Sequence, residues 1–157
     1  MEYTPELEEL QEEFTIENIH YYDLSFVDNN LVFKLKPYKT TEEPETLTNS
    51  QIIESYVYDE RESEVISSGK KKFCSILLDI WEKMPTQKII QNTTLNIKLG
   101  DEEKRNGYRY SDKVKFSFQR KSADGTWKEI LKMLELNGYK CEMKIKLENG
   151  LLYEYKN

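Results

Sequence analysis

Apolar and polar positions along the chain alternate in a few well-marked segments. Thr4 followed by Pro5 reads as an N-cap with proline at the first helical position, and Leu7, Leu10 and Phe14 recur at helical spacing. A short N-terminal helix is predicted, with Glu2, Glu6, Glu8, Glu9, Glu12 and Glu13 facing water. From His20 to Phe26 the period drops to two, Asp28, Asn29 and Asn30 supply turn residues, and Leu31, Phe33 and Leu35 repeat the alternation up to Pro37. This is a β-hairpin signal. Residues 38–50 read as a loop, with Thr48 and Gln51 spaced as a capping box. In 52–68 two patterns overlap, since Ile52, Ile53, Tyr56 and Val57 suit a helix while Tyr56 and Tyr58 alternate like a strand. The expectation for this stretch is a helix.

Beyond Gly69 the signal is plain. Phe73, Ile76, Leu77, Ile80, Trp81 and Met84 mark one face of a central buried helix that Pro85 stops. Leu95, Ile97 and Leu99, and later Val114, Phe116 and Phe118, alternate with polar residues and predict two strands, each with one wet face, joined by a protruding loop. Thr126 and Glu129 are spaced as a capping box for a helix that buries Trp127, Ile130, Leu131 and Leu134 and ends at Asn137-Gly138. Cys141, Met143, Ile145 and Leu147 then alternate with charged residues, Asn149-Gly150 marks a tight turn, and Leu151, Tyr153 and Tyr155 follow. The order predicts a single α+β domain over 1–157, a mostly antiparallel sheet of about six strands with helices on one face. Phe73, Ile76, Leu77, Ile80 and Trp81 should pack against Leu95, Ile97, Phe116, Phe118, Trp127, Leu131, Met143 and Ile145.

With 38% hydrophobic and 33% charged residues, the 157 residues suffice for one core under a heavily solvated surface. No apolar run approaches the ~18 residues a membrane span requires, and the first residues are acidic rather than basic and apolar, so the expectation is a cytoplasmic protein with no membrane partner. Cys74 and Cys141, far apart and each in an apolar pattern, read as reduced core thiols. The net charge of -6 conceals a division: residues 1–64 carry 17 acids and 4 bases, the remainder 12 acids and 19 bases. Mutual neutralisation on folding is the simpler account of this asymmetry, and a charged partner the other.

Candidate chemistry is sparse. His20 is the single histidine, flanked by Tyr21 and Tyr22, and with two distant cysteines it makes no ligand set for a metal and no nucleophilic triad. Glu142 and Lys144 share a strand face as in metal-dependent nucleases, but Asp112 and Asp124, the candidate further acids, precede an intervening helix. Ser67-Ser68-Gly69-Lys70 lacks the first glycine of a phosphate loop. Lys70, Lys71 and Lys72 nevertheless stand where the central helix begins, opposing its dipole, and form a candidate anion site. The acidic run Asp59 to Glu64 is the intramolecular candidate to offset them, and a phosphate or acidic partner the external one.

Two further groups point to binding. Lys104, Arg105, Arg109, Lys113, Lys115, Arg120 and Lys121 face one acid, Asp112, within 104–121, and Tyr108 and Tyr110 interleave with them, a combination that suits single-stranded nucleic acid. Tyrosine and arginine also concentrate at protein interfaces, which makes Arg105, Tyr108, Arg109, Tyr110, Tyr56 and Tyr58 candidate partner-binding residues. The sequence therefore predicts a non-enzymatic protein-binding module without a cofactor, such as a small inhibitor, immunity protein or host-factor antagonist. Nucleic-acid binding through 104–121 is the alternative, and oligomeric state is left open.

Overall fold

Two positive-φ residues, Asp28 (51°) and Asn29 (64°), turn the chain between β1 (Ile19–Val27) and β2 (Asn30–Pro37). A two-residue loop of that handedness matches the twist of the antiparallel strands it joins, and Val27 pairs with Asn30 directly across it. The hairpin forms a two-stranded sheet of its own. The structure, a computed structural model, describes residues 19–37, 39–100 and 106–157, so the expected N-terminal helix lies outside the described residues.

After β3 (Lys39–Thr40) the chain runs through a loop held by Asp124, whose carboxylate accepts hydrogen bonds from the Leu47 amide and the Thr46 hydroxyl, each at 2.8 Å. Those bonds hold the Asp124 carboxyl below its ordinary range. No helix follows this loop, so Thr48 and Gln51 form no capping box. Gln51 opens β4 (Gln51–Asp59), which turns through Ser63 at φ 50° into β5 (Glu64–Ser68). The helix expected over 52–68 is thus an antiparallel hairpin. Irregularities at Ile52/Glu54 and Val57/Tyr58 break the period of two, so that Ile52, Ser55 and Val57 are buried while Ile53 and Tyr56, which complete the helical spacing in the sequence, are exposed.

The remaining elements are α1 (Phe73–Glu82), α2 (Thr86–Asn92), β6 (Ile97–Leu99), β7 (Tyr108–Ser111), β8 (Phe116–Gln119), α3 (Ala123–Asn137), β9 (Lys140–Lys146) and β10 (Leu152–Lys156). Five strands assemble in the order β3-β10-β9-β4-β5, with β3 parallel to β10, and three in the order β6-β8-β7. The architecture is α+β, but separate sheets, one of them mixed, replace the single sheet of about six antiparallel strands. No helix among the described residues is long and apolar enough to cross a membrane.

Aromatic rings join the layers. Trp81 of α1 meets Phe118 edge-on at 5.5 Å and Phe116 at 5.7 Å on the three-stranded sheet. Trp127 of α3 meets Phe73 of α1 at 6.1 Å and Tyr155 of the five-stranded sheet at 5.0 Å. The helix pair therefore links both sheets in one core, each ring pair adding about 0.5 to 1.5 kcal/mol beyond area burial. All the expected core residues lie in it, with Ile97 and Leu131 only partly buried.

Three local expectations change. In β8, Phe116, Ser117 and Phe118 are all buried, so this strand has no wet face; the Ser117 hydroxyl donates to the Gly100 carbonyl at 2.8 Å. α3 begins a turn earlier than expected, capped by the Ser122 hydroxyl, which accepts from the Gly125 amide. Glu129 is buried and does not cap Thr126; its carboxylate accepts from the Thr94 amide at 2.8 Å and from the Thr93 and Thr94 hydroxyls. The end of α3 is as expected, with Gly138 left-handed at φ 67°.

Candidate functional site

Where α1 and α3 begin, they flank a cleft of about 660 Å³, a size typical of ligand pockets. One wall is the start of β4, from Ser50 to Ile52, and another is the end of β8 with the residues that lead into α3. Lys70, Lys71, Lys72, Arg120 and Lys121 line it, and among the described residues no acid does. The apolar part of the lining comes from Ile52, Phe73, Leu77, Leu95 and Phe118, all core residues presenting an edge to the cavity.

The fold makes this cationic lining in two moves. Residue 72 is the N-cap of α1, in extended conformation, and no side chain caps the helix there. Lys70 to Lys72 therefore lie along the cleft instead of continuing the helix. On the other side, Gly125 allows Lys121 to lie across the first turn of α3, since a Cβ at 125 would come within 2.9 Å of the Lys121 Cβ. The Lys121 ammonium then donates to the Thr94 hydroxyl at 2.9 Å.

Of the five cations, Lys71 alone has an acidic partner among the described residues. Its ammonium lies 2.5 Å from Asp79, a buried α1 carboxylate that also accepts from Ser67 and from Lys113. Burial pushes the Asp79 carboxyl up, but the bonds from Lys113, Lys71 and Ser67 outweigh it and hold the group below its ordinary value. The acid that meets the lysine cluster is thus Asp79, at Lys71 alone, and not the Asp59 to Glu64 run. Within that run Asp59 pairs with Arg61, and Glu64 with Lys83. A carboxylate brought within about 4 Å of one of the remaining cations would gain roughly 1 to 4 kcal/mol of Coulomb energy at the effective dielectric of a protein surface.

The structure thus brings together two groups that are separate in sequence, Lys70 to Lys72 and the end of the basic segment. Arg109 is not among the lining residues, although its charge reaches the Cys74 thiol in the cleft wall. It does not protrude on a loop: Tyr108, Arg109 and Tyr110 form β7, with Arg109 opposite Phe118 and Tyr110 opposite Ser117. Lys98 lies over the Tyr108 ring, 4.7 Å from its centre. Lys113 is paired with Asp79 and Glu82, and Lys115 with Asp112. Arg105 lies outside the described residues. Tyr56 and Tyr58 stand elsewhere, stacked at 5.9 Å on the outer face of the five-stranded sheet.

That outer face is neutralised by cross-strand pairs, Lys39 with Glu154, Lys144 with Glu54 and Lys156 with Glu142. Glu142 and Lys144 are thereby engaged as sheet-face pairs, and Asp124 is engaged at the loop before β4. Among the described residues no three histidine, cysteine or carboxylate groups gather as a metal site would require. The thiols are free, and burial pushes both up, Cys74 against the opposing influence of Arg109 and Cys141 to about 12.

Fold and cleft together define an α+β domain with a cation-lined, apolar-floored groove at the start of its two longer helices. No family model matches the chain, and no curated protein or solved structure matches it either.

Proposed function

We propose that the chain is a non-enzymatic binding module that receives an acidic segment of a partner protein in this cleft. The observation that carries the reading is the pairing of a rim of five cations, with no acid among the described lining residues, with a floor of Phe73, Leu77, Leu95 and Phe118. A segment that alternates carboxylates with apolar anchors satisfies both parts. Phosphate alone would leave the floor unused. Among the described lining residues nucleic acid would find only the largely buried rings of Phe73 and Phe118, too little exposed for a base to stack face to face. Binding is favoured over catalysis because the thiol in the lining, Cys74, is pushed away from its thiolate form, and no histidine or carboxylate stands among the described lining residues to activate the Ser50 or Thr126 hydroxyl.

A short fluorescent peptide alternating glutamate with leucine, and an oligothymidylate of similar length, test the reading by anisotropy. The peptide should bind the wild-type chain, and Lys70→Glu with Lys72→Glu should weaken it by about tenfold or more with little change in stability, since both side chains are exposed. Tighter binding of the oligonucleotide, with a steep log-log dependence on salt, would favour nucleic acid instead. Unchanged peptide binding in the double variant would remove the cleft from consideration.

A further inference from the structure

The wall that β4 gives the cleft is an unfinished edge of the larger sheet. β4 pairs with β9 from Gln51 to Tyr58, but with β5 only from Tyr56 to Asp59. Beyond that ladder one backbone bond remains on the β5 side, from the Gly69 amide to the Ser55 carbonyl at 2.9 Å. The Ser55 hydroxyl donates in turn to the Gly69 carbonyl at 2.7 Å, and Gly69, left-handed at φ 97°, turns the chain off the sheet. Residues 70–72 then lead into α1 instead of continuing β5. Gln51, Ile52, Ile53 and Glu54 therefore have a neighbouring strand on one side only. Among the described residues no backbone hydrogen bond reaches them from the β5 side.

This open stretch, about 13 Å long, begins in the cleft, where Gln51 and Ile52 form one wall and Lys70, Lys71 and Lys72 another. The cleft lies where β5 would have run had it continued. A free backbone edge accepts an extended segment through main-chain bonds and leaves selectivity to the alternate side chains. A strand laid beside Ile52, which is buried, places every second side chain on the face of Ile52, over Phe73 and Leu77. The side chains between them stay at the rim, where Lys70 and Lys72 are exposed. Apolar and acidic residues in alternation thus suit the edge and the lining at once. A helix would leave the backbone groups of Gln51 to Glu54 unpaired, and it does not hold alternate residues on one face.

We propose that the partner's acidic segment binds as an added β-strand, pairing with Gln51 to Glu54 in the place that β5 leaves at Gly69. The inference rests on the reading of the cleft as a site for acidic segments and specifies the conformation in which they are held. The bound segment lies in line with β5, so the sheet gains length at that position and no width.

Backbone methylation of the glutamate-leucine peptide tests the pairing, because alternate amides of a strand point to opposite edges. All leucine amides of that peptide then face one edge and all glutamate amides the other. N-methylation of one set should weaken binding to the full chain by about tenfold or more, and of the other set by less than about threefold. Amide hydrogen exchange followed by NMR should slow by about tenfold or more at one or more of Gln51 to Glu54 when the unmodified peptide saturates the cleft. Equal binding of the two methylated peptides would overturn the added strand: if both bind tightly the side chains alone make the contact, and if both bind weakly the segment has another conformation. Unchanged exchange at Gln51 to Glu54 beside a one-sided methylation effect would put the strand at another edge and overturn the inference as well. In each of these cases the cleft reading stands as long as Lys70→Glu with Lys72→Glu weakens the unmodified peptide. If the lysine reversals change nothing, the cleft reading fails and takes the inference with it.

Discussion

Replacing Asp79 with asparagine separates what holds the fold from what lines the cleft. The carboxylate joins three elements: Ser67 of β5, Lys71 ahead of α1 and Lys113 in the turn between β7 and β8. Asparagine keeps the shape and can keep the Ser67 bond, but it has one acceptor oxygen and an amide that faces a lysine. A hydrogen bond to a charged partner contributes about 1.5 to 3 kcal/mol. Here the lysine side chains are 36% and 47% exposed and recover water on release, so each loss belongs at or below the low end of that range. Asp79→Asn should therefore cost about 2 to 3 kcal/mol at pH 7, measured by urea unfolding followed through tryptophan fluorescence. Because the folded-state pKa lies below the ordinary 3.8, the stabilisation is fully present above that pH and is lost as pH falls through the folded value. The gap between wild type and variant should hold from pH 7 down to about 4 and narrow progressively as pH falls further. Lys71, freed from its partner, should strengthen binding of the acidic peptide even as the fold weakens. A cost under about 0.5 kcal/mol, or a gap that persists undiminished at low pH, would refute the reasoning.

Three other expectations follow from the packing and the buried thiols. Leu77 is 1% exposed in the core beneath the cleft, so Leu77→Ala should cost about 2 to 5 kcal/mol in the same unfolding assay, and a loss below about 1 would mean that the face of α1 is misassigned. Gly138→Ala puts a side chain at φ 67° with no atom nearer than Arg61 Cζ at 4.0 Å, so the cost should be conformational, about 1 kcal/mol; no loss of denaturation midpoint would contradict the left-handed cap. Iodoacetamide should label Cys74 increasingly as pH rises above 9, while Cys141, pushed to about 12, stays unlabelled in the native state; equal labelling by peptide mapping would contradict its burial.

The elements legible in the sequence are those whose burial is strictly periodic. Along α1 every apolar position on the predicted stripe is buried, and in β9 Cys141, Met143 and Ile145 alternate with exposed charges. β4 was hidden because its bulges shift the inward positions. β8 was half-read because a serine small enough to bury, and bonded to Gly100, reads as a wet-face residue. α2 gives little signal because only Ile89 is buried in its seven residues. Thr126 with Glu129 imitates a cap, whereas α3 starts at the Ser122 cap and buried Glu129 bonds Thr93 and Thr94 instead. The site was legible in halves: Lys70 to Lys72 at the start of α1, and the basic segment ending at Lys121. Their meeting across the cleft depends on how β8 leads into α3, which no local pattern records.

The strand order of the larger sheet has a consequence for how the chain is made. β4 is an interior strand, yet its Val57 pairs with Cys141, which follows all three helices of the described residues and the whole smaller sheet in sequence. At about 5 to 20 residues per second, a chain emerging from the ribosome presents the β4–β5 hairpin with the β4 edge unpaired for several seconds before β9 arrives. β3 waits longer still, since its partner β10 is the last strand. Assembly dominated by such distant pairings is slow relative to helix formation, and an open edge is a template for pairing with another chain. The interval between synthesis of β4 and synthesis of β9 is therefore when this protein is most exposed to aggregation.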